Sequence, residues 1–136
     1  HVVYAWESMS ELVSGFVFSS DLSSEKLASN IARERRQQQQ HLDGLIRSIK
    51  IKSHAVRDAL DYLKPLTHLL KGSARREVPA LAKRLQVDCI VMGTVARTGI
   101  RGFFMGNTAE TILEQIDCSV LAIKPQEFVT PVTLEE

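Results

Sequence analysis

The chain has 136 residues, of which 44% are hydrophobic and 24% are charged, and its formal net charge at pH 7 is +1. This length predicts one domain with an ordinary hydrophobic core. The near-neutral charge gives no general attraction to nucleic acid or to an anionic membrane, and no apolar run approaches the roughly 20 residues that span a bilayer. We therefore expect neither nucleic acid nor a membrane as a partner.

The first half of the chain predicts one strand and two helices. Residues 1–6 are β-branched and aromatic and predict a buried strand, whereas residues 7–23 are mixed and predict a loop or loose turn. Ser24 can cap a long helix that runs to about residue 50. Ser53 can cap a second helix over residues 54–63, which Pro65 ends. The apolar stripe of the long helix comprises Leu27, Ile31, Leu42, Leu45, Ile46 and Ile49.

Strands and helices alternate in the second half. A strand over residues 67–71, a helix over 73–86, a strand over 88–92, a helix over 108–116 and a strand over 118–123 follow one another. This order predicts an α/β fold whose parallel sheet has right-handed crossovers and helices on both faces. We expect the last strand to lie parallel beside the strand at 88–92. Pro79 should kink its helix or mark its first turn.

A glycine-rich loop joins the strand at 88–92 to the last helix. Gly93, Gly99, Gly102 and Gly106 lie in it, and Asn107 with Glu110 resembles a capping box at the helix start. Glycines let backbone N–H groups approach an anion, and a helix N-terminus adds about half a positive charge. Ligands of such sheets bind beyond the C-terminal strand ends. The pattern favours a phosphate site, and a plain connecting loop is the alternative.

Several side chains of this loop suit an anion. Arg97 and Arg101 could contact phosphate or could simply be solvated, and Thr94 and Thr98 could bond a phosphate oxygen or cap the loop's own backbone. The apolar run at residues 103–105 is more typical of packing under the loop or against a partner subunit than of stacking on adenine.

The spacing in this loop resembles the nucleotide loop of the universal stress protein family. That loop reads Gly, two residues, Gly, nine residues, Gly and then Ser or Thr, and Gly93, Ala96, Gly106 and Asn107 stand at these positions here. The flanking stretch GSARREVPALAKRLQVDCIVMG is similar to the family's strand-end glycine, helix and fourth strand, and CSVLAIKP is similar to its closing strand. The opening stretch HVVYAWE is similar to the family's second strand. The phrases GTVARTGI, GNTAE and IKPQEFVTPV are similar to the second half of tandem, E-type members.

This resemblance implies a doubly wound parallel sheet of Rossmann-like type, as in the universal stress protein and adenine nucleotide alpha hydrolase-like folds, and a stress-response role in the cytoplasm. It implies ATP, AMP or phosphate as a ligand of the loop, with the backbone near Tyr4 facing adenine. The implied loop contacts are Met92, Gly93, Thr94, Ala96, Arg97, Gly106, Asn107 and Thr108.

Two positions depart from the family pattern. Ala96 replaces the second glycine and adds a methyl group where a phosphate would pass, and Asn107 replaces the Ser or Thr, although its side-chain amide and Thr108 remain available. The alternative function is therefore a nucleotide-free module with a degenerate site, which keeps the fold for homodimerisation or for pairing with a tandem sister domain. We expect such pairing through the 118–123 edge and the 129–134 tail.

The start of the chain also departs from the family. There, a first strand with an adenine-reading Asp and a first helix precede the position of His1, and that strand lies in the centre of the sheet. We therefore expect residues 1–125 to form one domain that is incomplete at its N-terminus, followed by a tail over 126–136. Either the chain is a fragment of a longer tandem protein, or a partner segment fills the gap.

Catalytic and metal-binding patterns are weak. No set of nucleophile, base and oxyanion donor can be assembled, so we expect no enzyme. The four histidines are scattered, so we expect no metal site. Cys89 and Cys118 each begin an apolar strand, which is typical of buried, reduced thiols in a cytosolic protein, although the implied fold makes these strands neighbours and a disulfide conceivable.

Overall fold

The computed structural model of the chain describes residues 1–16, 24–94 and 106–124, which form two compact units, His1–Ala74 and Arg75–Glu136. The first unit contains β1 (Val2–Trp6), α1 (Met9–Phe16), α2 (Ser24–Lys52), α3 (His54–Leu63) and β2 (Thr67–Lys71). The second contains α4 (Ala74–Leu85, whose first residue ends the first unit), β3 (Cys89–Gly93), α5 (Asn107–Leu113) and β4 (Ser119–Ile123). The prediction of a single domain over residues 1–125 stays a prediction.

In the first unit, β1 and β2 pair in parallel over their whole length, from Val2 opposite Thr67 to Trp6 opposite Lys71. The ladder continues beyond β2, because the N–H of Gly72 donates to the carbonyl oxygen of Trp6 at 2.8 Å. Gly72 has φ of 134°, which side-chain-bearing residues rarely adopt. This φ value explains why glycine stands at this strand end.

Helix α2 lies against β1 through the middle of its length. The Tyr4 hydroxyl donates to Oε1 of Gln38 at 3.2 Å, and Leu42 is buried. Farther along the predicted apolar stripe, Leu45 is 42% exposed and Ile49 48% exposed, so the expectation of a continuous inner face is wrong at its C-terminal end. A 29-residue helix is about 44 Å long, whereas a five-residue strand spans about 17 Å. The short sheet thus has no surface with which to cover the whole helix.

The predicted loop over residues 7–23 is wrong in its first half, because residues 9–16 form α1. The Ser8 hydroxyl, on a residue that is 3% exposed, accepts a hydrogen bond from the N–H of Glu11 at 3.2 Å and so caps the helix. Glu34 of α2 binds the same turn: it accepts from the hydroxyls of Ser8 at 2.6 Å and Ser10 at 2.7 Å, and from the N–H of Ser10 at 3.0 Å. The serines that suggested a loop thus hold the start of a helix.

The bounds predicted for α3 are confirmed. The Ser53 side chain accepts from the N–H of Val56 at 3.3 Å, as an N-cap does. At the other end, Lys64 is left-handed, with φ of 45°, and its N–H donates to the carbonyl oxygen of Leu60 at 2.9 Å. Pro65 follows and cannot continue the helix.

In the second unit, β3 and β4 pair in parallel from Cys89 opposite Ser119 to Gly93 opposite Ile123, which confirms the predicted neighbourhood and direction. The buried side chains come from the two helices: Pro79, Leu81 and Ala82 of α4, and Ala109 and Ile112 of α5. Because α4 begins at Ala74, Pro79 lies inside the helix and does not mark its first turn.

Glu34→Gln tests the carboxylate that holds α1. The hydrogen bonds from Ser8 and then Ser10 hold the pKa of Glu34 below its ordinary value. A lowered pKa stabilises the folded state above the unfolded value and loses that effect as the pH falls through the folded value. We expect the variant to lose about 1–2 kcal/mol of unfolding free energy at neutral pH, and progressively less as the pH falls through the lowered pKa that Glu34 has in the folded chain.

Urea unfolding followed by the fluorescence of Trp6, the only tryptophan, measures this difference. Glu7→Gln, at an exposed glutamate just before the same turn, is the matched control and should leave the midpoint unchanged. An equal loss in both variants, or a loss in Glu34→Gln that does not shrink with acid, would contradict the assignment.

Candidate functional site

The two ends of the glycine-rich loop lie together at the C-terminal end of β3. Thr94, the first residue after the strand, is buried, and its carbonyl oxygen accepts a hydrogen bond from the N–H of Gly106 at 2.9 Å. Gly106 is also the N-cap of α5. The loop over residues 95–105 therefore leaves and returns at one point of the sheet edge. Ala96, Arg97 and the other candidates within 95–105 lie outside the described residues.

Packing against the neighbouring strand does not require a glycine at position 93. Gly93 pairs with Ile123, and a Cβ atom at Gly93 would lie 3.9 Å from the backbone oxygen of Ile123, an ordinary contact distance. Among the described residues, no atom crowds the position of a Cβ atom at Gly93. A ligand that approaches the backbone closely needs such free space.

The predicted capping box at the start of α5 is wrong. Asn107 is the first helical residue, and the extended residue before it is Gly106, with φ of −64° and ψ of 135°, which has no side chain to cap the helix. The carbonyl oxygen of Gly106 accepts a hydrogen bond from the N–H of Glu110 at 3.1 Å. The N-cap is therefore Gly106, one residue before the position that the capping box assigned to it. Asn107 and Thr108 are both exposed. With seven residues, α5 has few aligned peptide dipoles, so an anion here would depend mainly on the loop.

The implied site residues fall into both units. The second unit brings together Met92, Gly93 and Thr94 at the end of β3 with residues 106–108 at the start of α5. Tyr4 lies on β1 of the first unit, where its hydroxyl is bonded to Gln38 and its ring centroid is 5.7 Å from that of His41. The tyrosine side chain therefore belongs to the contact between β1 and α2.

Both cysteines are free, and the expected burial is wrong for both, because Cys89 is exposed and Cys118 is half-buried. Cys89 is in register with Ser119, so Cys118 stands one residue before the pairing position. Since side chains alternate between the faces of a sheet, this offset directs the two thiols differently.

Sequence patterns did not indicate a cleft that the second unit contains. It has a volume of about 580 Å³ and lies by the ends of α4 and α5, among residues that include Lys83, Glu114 and Asp117. Lys83 and Glu114 fall in predicted helices and Asp117 precedes a predicted strand, so no local signal marks the cleft.

In residues 1–16, 24–94 and 106–124, no three side chains of His, Cys, Asp or Glu are grouped so as to hold a metal ion. Over the same ranges, none of the helices combines the length and the apolar character that crossing a membrane demands.

The model of the universal stress protein family matches residues 1–124, and the chain belongs to that family. Universal stress protein E of Escherichia coli K12 and that of Salmonella typhi are each 42% identical to it over 82 residues, which are 60% of this chain and 26% of the relative. Universal stress protein MJ0531 of Methanocaldococcus jannaschii is 34% identical over 58 residues, which are 43% of the chain and 34% of the relative.

The matched stretch thus spans about a quarter of the length of the E-type relatives. Membership of the family confirms the predicted Rossmann-like α/β fold class, with which the parallel strand pairs and the helices are consistent. It also supports a stress-response role.

Gly106→Pro tests the hydrogen bond that closes the loop. Proline has φ near −65°, which matches the −64° of Gly106, but it has no N–H to donate to Thr94. We expect Gly106→Pro to destabilise the chain by about 1 kcal/mol. Gly106→Ala keeps the donor at a φ that alanine adopts freely and should stay within about 0.5 kcal/mol of the unmodified chain.

Thermal unfolding monitored by circular dichroism compares the three proteins. Proline lowers the entropy of the unfolded chain by more than alanine does, which opposes the expected loss. A proline variant as stable as the alanine variant would therefore contradict the expected net destabilisation.

Proposed function

We propose that the chain serves its stress-response role by binding a phosphate-bearing adenine nucleotide, ATP or AMP, at the loop between β3 and α5. The observation that carries this proposal is the hydrogen bond from Gly106 to Thr94, which fixes both ends of the loop at the C-terminal end of a parallel strand. Ligands of open α/β sheets bind beyond the strand ends on this side. The proposed role is binding without catalysis, in the cytoplasm, as the family resemblance implies.

The loop chemistry favours the phosphate part of the ligand. Arg97 and Arg101 lie within the loop segment and supply positive charge, while Gly93 leaves its backbone accessible. Ala96 stands where the family spacing has its second glycine, and its methyl group narrows the passage for a full nucleotide. The site should therefore bind inorganic phosphate or sulfate more readily than ATP.

Titration calorimetry with ATP, AMP and inorganic phosphate tests both statements. We expect Ala96→Gly to tighten ATP binding about tenfold, the equivalent of about 1.4 kcal/mol, and to leave phosphate binding unchanged. Ala80→Gly, at an exposed position of α4, is the control for a general effect of added glycine.

The outcomes distinguish a nucleotide site that the Ala96 methyl group impairs from the absence of a nucleotide site. Micromolar ATP binding that Ala96→Gly does not alter would contradict the role given to the Ala96 methyl group. Failure of both proteins to bind any of the three ligands would overturn nucleotide binding and favour the second function.

The second proposed function is pairing, with another copy or with a tandem sister domain, through β4. Among the described strands, β4 has a partner only on its β3 side. Val91 on β3 and Leu121 and Ile123 on β4 share one face of the pair and are 63%, 53% and 51% exposed. Parallel sheets are normally covered on both faces, so an apolar face in contact with solvent favours association. The tail at 129–134, which we also expect in this interface, lies outside the described residues.

Leu121→Glu tests the pairing function. We expect the unmodified chain to sediment as a dimer and Leu121→Glu to weaken association about tenfold or more, because a carboxylate would have to be desolvated in the interface. Leu45→Glu, at an exposed leucine of α2, is the matched control and should remain dimeric. A monomeric unmodified chain at high concentration, or equal loss in both variants, would contradict pairing through β4.

A further inference from the structure

We propose that His1 and His68 form a two-imidazole site for a late first-row divalent metal ion, which copper(II) occupies most tightly. Nδ1 of His1 lies 2.8 Å from Nε2 of His68, and the ring centroids are 5.0 Å apart. The two residues are separated by 67 positions in the sequence, so they do not form a recognisable metal-ligand spacing.

The parallel pairing of β1 with β2 produces this neighbourhood. His68 is in register with Val3, and His1 comes two residues before Val3, so the alternation of side chains along a strand places both histidines on one face. Tyr4, whose side chain points to the opposite face, contacts α2 through Gln38. Val3 on the histidine face is exposed. A metal ion can therefore reach the imidazoles from solvent.

The separation of the two nitrogens indicates which metals fit. Two nitrogens that each lie about 2.05 Å from one ion are about 2.9 Å apart at a right angle and about 3.3 Å apart at a tetrahedral angle. The observed 2.8 Å is close to the first value. Because the facing nitrogens of a hydrogen-bonded pair point along the line between them, both rings must rotate before their lone pairs converge on one ion. Adjacent positions of a tetragonal or octahedral ion, as in copper(II) or nickel(II), then require a smaller change in the nitrogen separation than the tetrahedral geometry of zinc does.

The chemistry of the donors agrees with this choice. In the hydrogen-bonded pair one nitrogen carries a proton and the other presents its lone pair. On binding a metal ion, the donating ring moves its proton to its other nitrogen, so that both facing nitrogens present lone pairs. Imidazole suits copper, nickel and zinc, and copper(II) binds most tightly in the divalent series. Because no third protein ligand is grouped with the pair among the described residues, water completes the coordination.

Calorimetric titration of the full chain with Cu²⁺, Ni²⁺ and Zn²⁺ tests the site. For the titration the α-amino group of His1 is acetylated, because it would otherwise bind Cu²⁺ together with the imidazole of the same residue. The free thiols of Cys89 and Cys118 are alkylated, because thiols bind and reduce Cu²⁺. We expect one Cu²⁺ per chain, weaker binding of Ni²⁺ and Zn²⁺, and an electron paramagnetic resonance spectrum with coupling to two imidazole nitrogens.

Single substitutions assign the ligands. His1→Ala and His68→Ala should each weaken Cu²⁺ binding by about tenfold or more, whereas His54→Ala, at an exposed histidine of α3, should leave it unchanged. Circular dichroism of each variant checks that it is folded. Unaltered Cu²⁺ affinity in folded His68→Ala, equal weakening in His54→Ala, coupling to one nitrogen only, or absence of Cu²⁺ binding by the unmodified chain would each overturn the proposal.

Discussion

Parallel pairing of strands that are distant in the sequence is the constraint on which both units depend. Two parallel strands cannot be joined by a tight turn, so the chain must cross over between them through helices. In the first unit this crossover carries α1, α2 and α3, and in the second it carries the glycine-rich loop and α5. In each parallel pair, the N-terminal ends of both strands lie on one side of the sheet and the C-terminal ends on the other. The loop at Gly93 leaves from the C-terminal edge, while His1 and His68 meet at the N-terminal edge of the other pair.

A few polar contacts then define what the strand ends can do. Glu34 gathers Ser8 and Ser10 and turns the segment after β1 into a capped helix. The bond between Thr94 and Gly106 similarly brings the ends of a long loop together. In both places a backbone or hydroxyl donor has a hydrogen-bond acceptor elsewhere in the same unit. This avoids the free-energy penalty of a partly buried polar group that lacks a hydrogen-bond partner.

The nucleotide and pairing functions make different demands on the second unit. Nucleotide binding requires the loop backbone to remain open at Gly93, whereas pairing requires the apolar face of Val91 and Leu121 to be covered. One protein can satisfy both demands, since the ligand would lie at the strand ends and the partner along β4. The family membership supports the stress-response role in either case.

Local sequence signals alone predicted the strands, the class of the fold, the cap at Ser53 and the parallel pairing of β3 with β4. These features depend on residues a few positions apart or on the order of the elements. The tertiary structure alone decided that α1 exists, that α5 starts after Gly106 instead of at an Asn107 cap, and that His1 meets His68. Each of these depends on backbone position and on contacts between residues far apart in the chain, and periodicity and spacing along a sequence carry no record of such contacts.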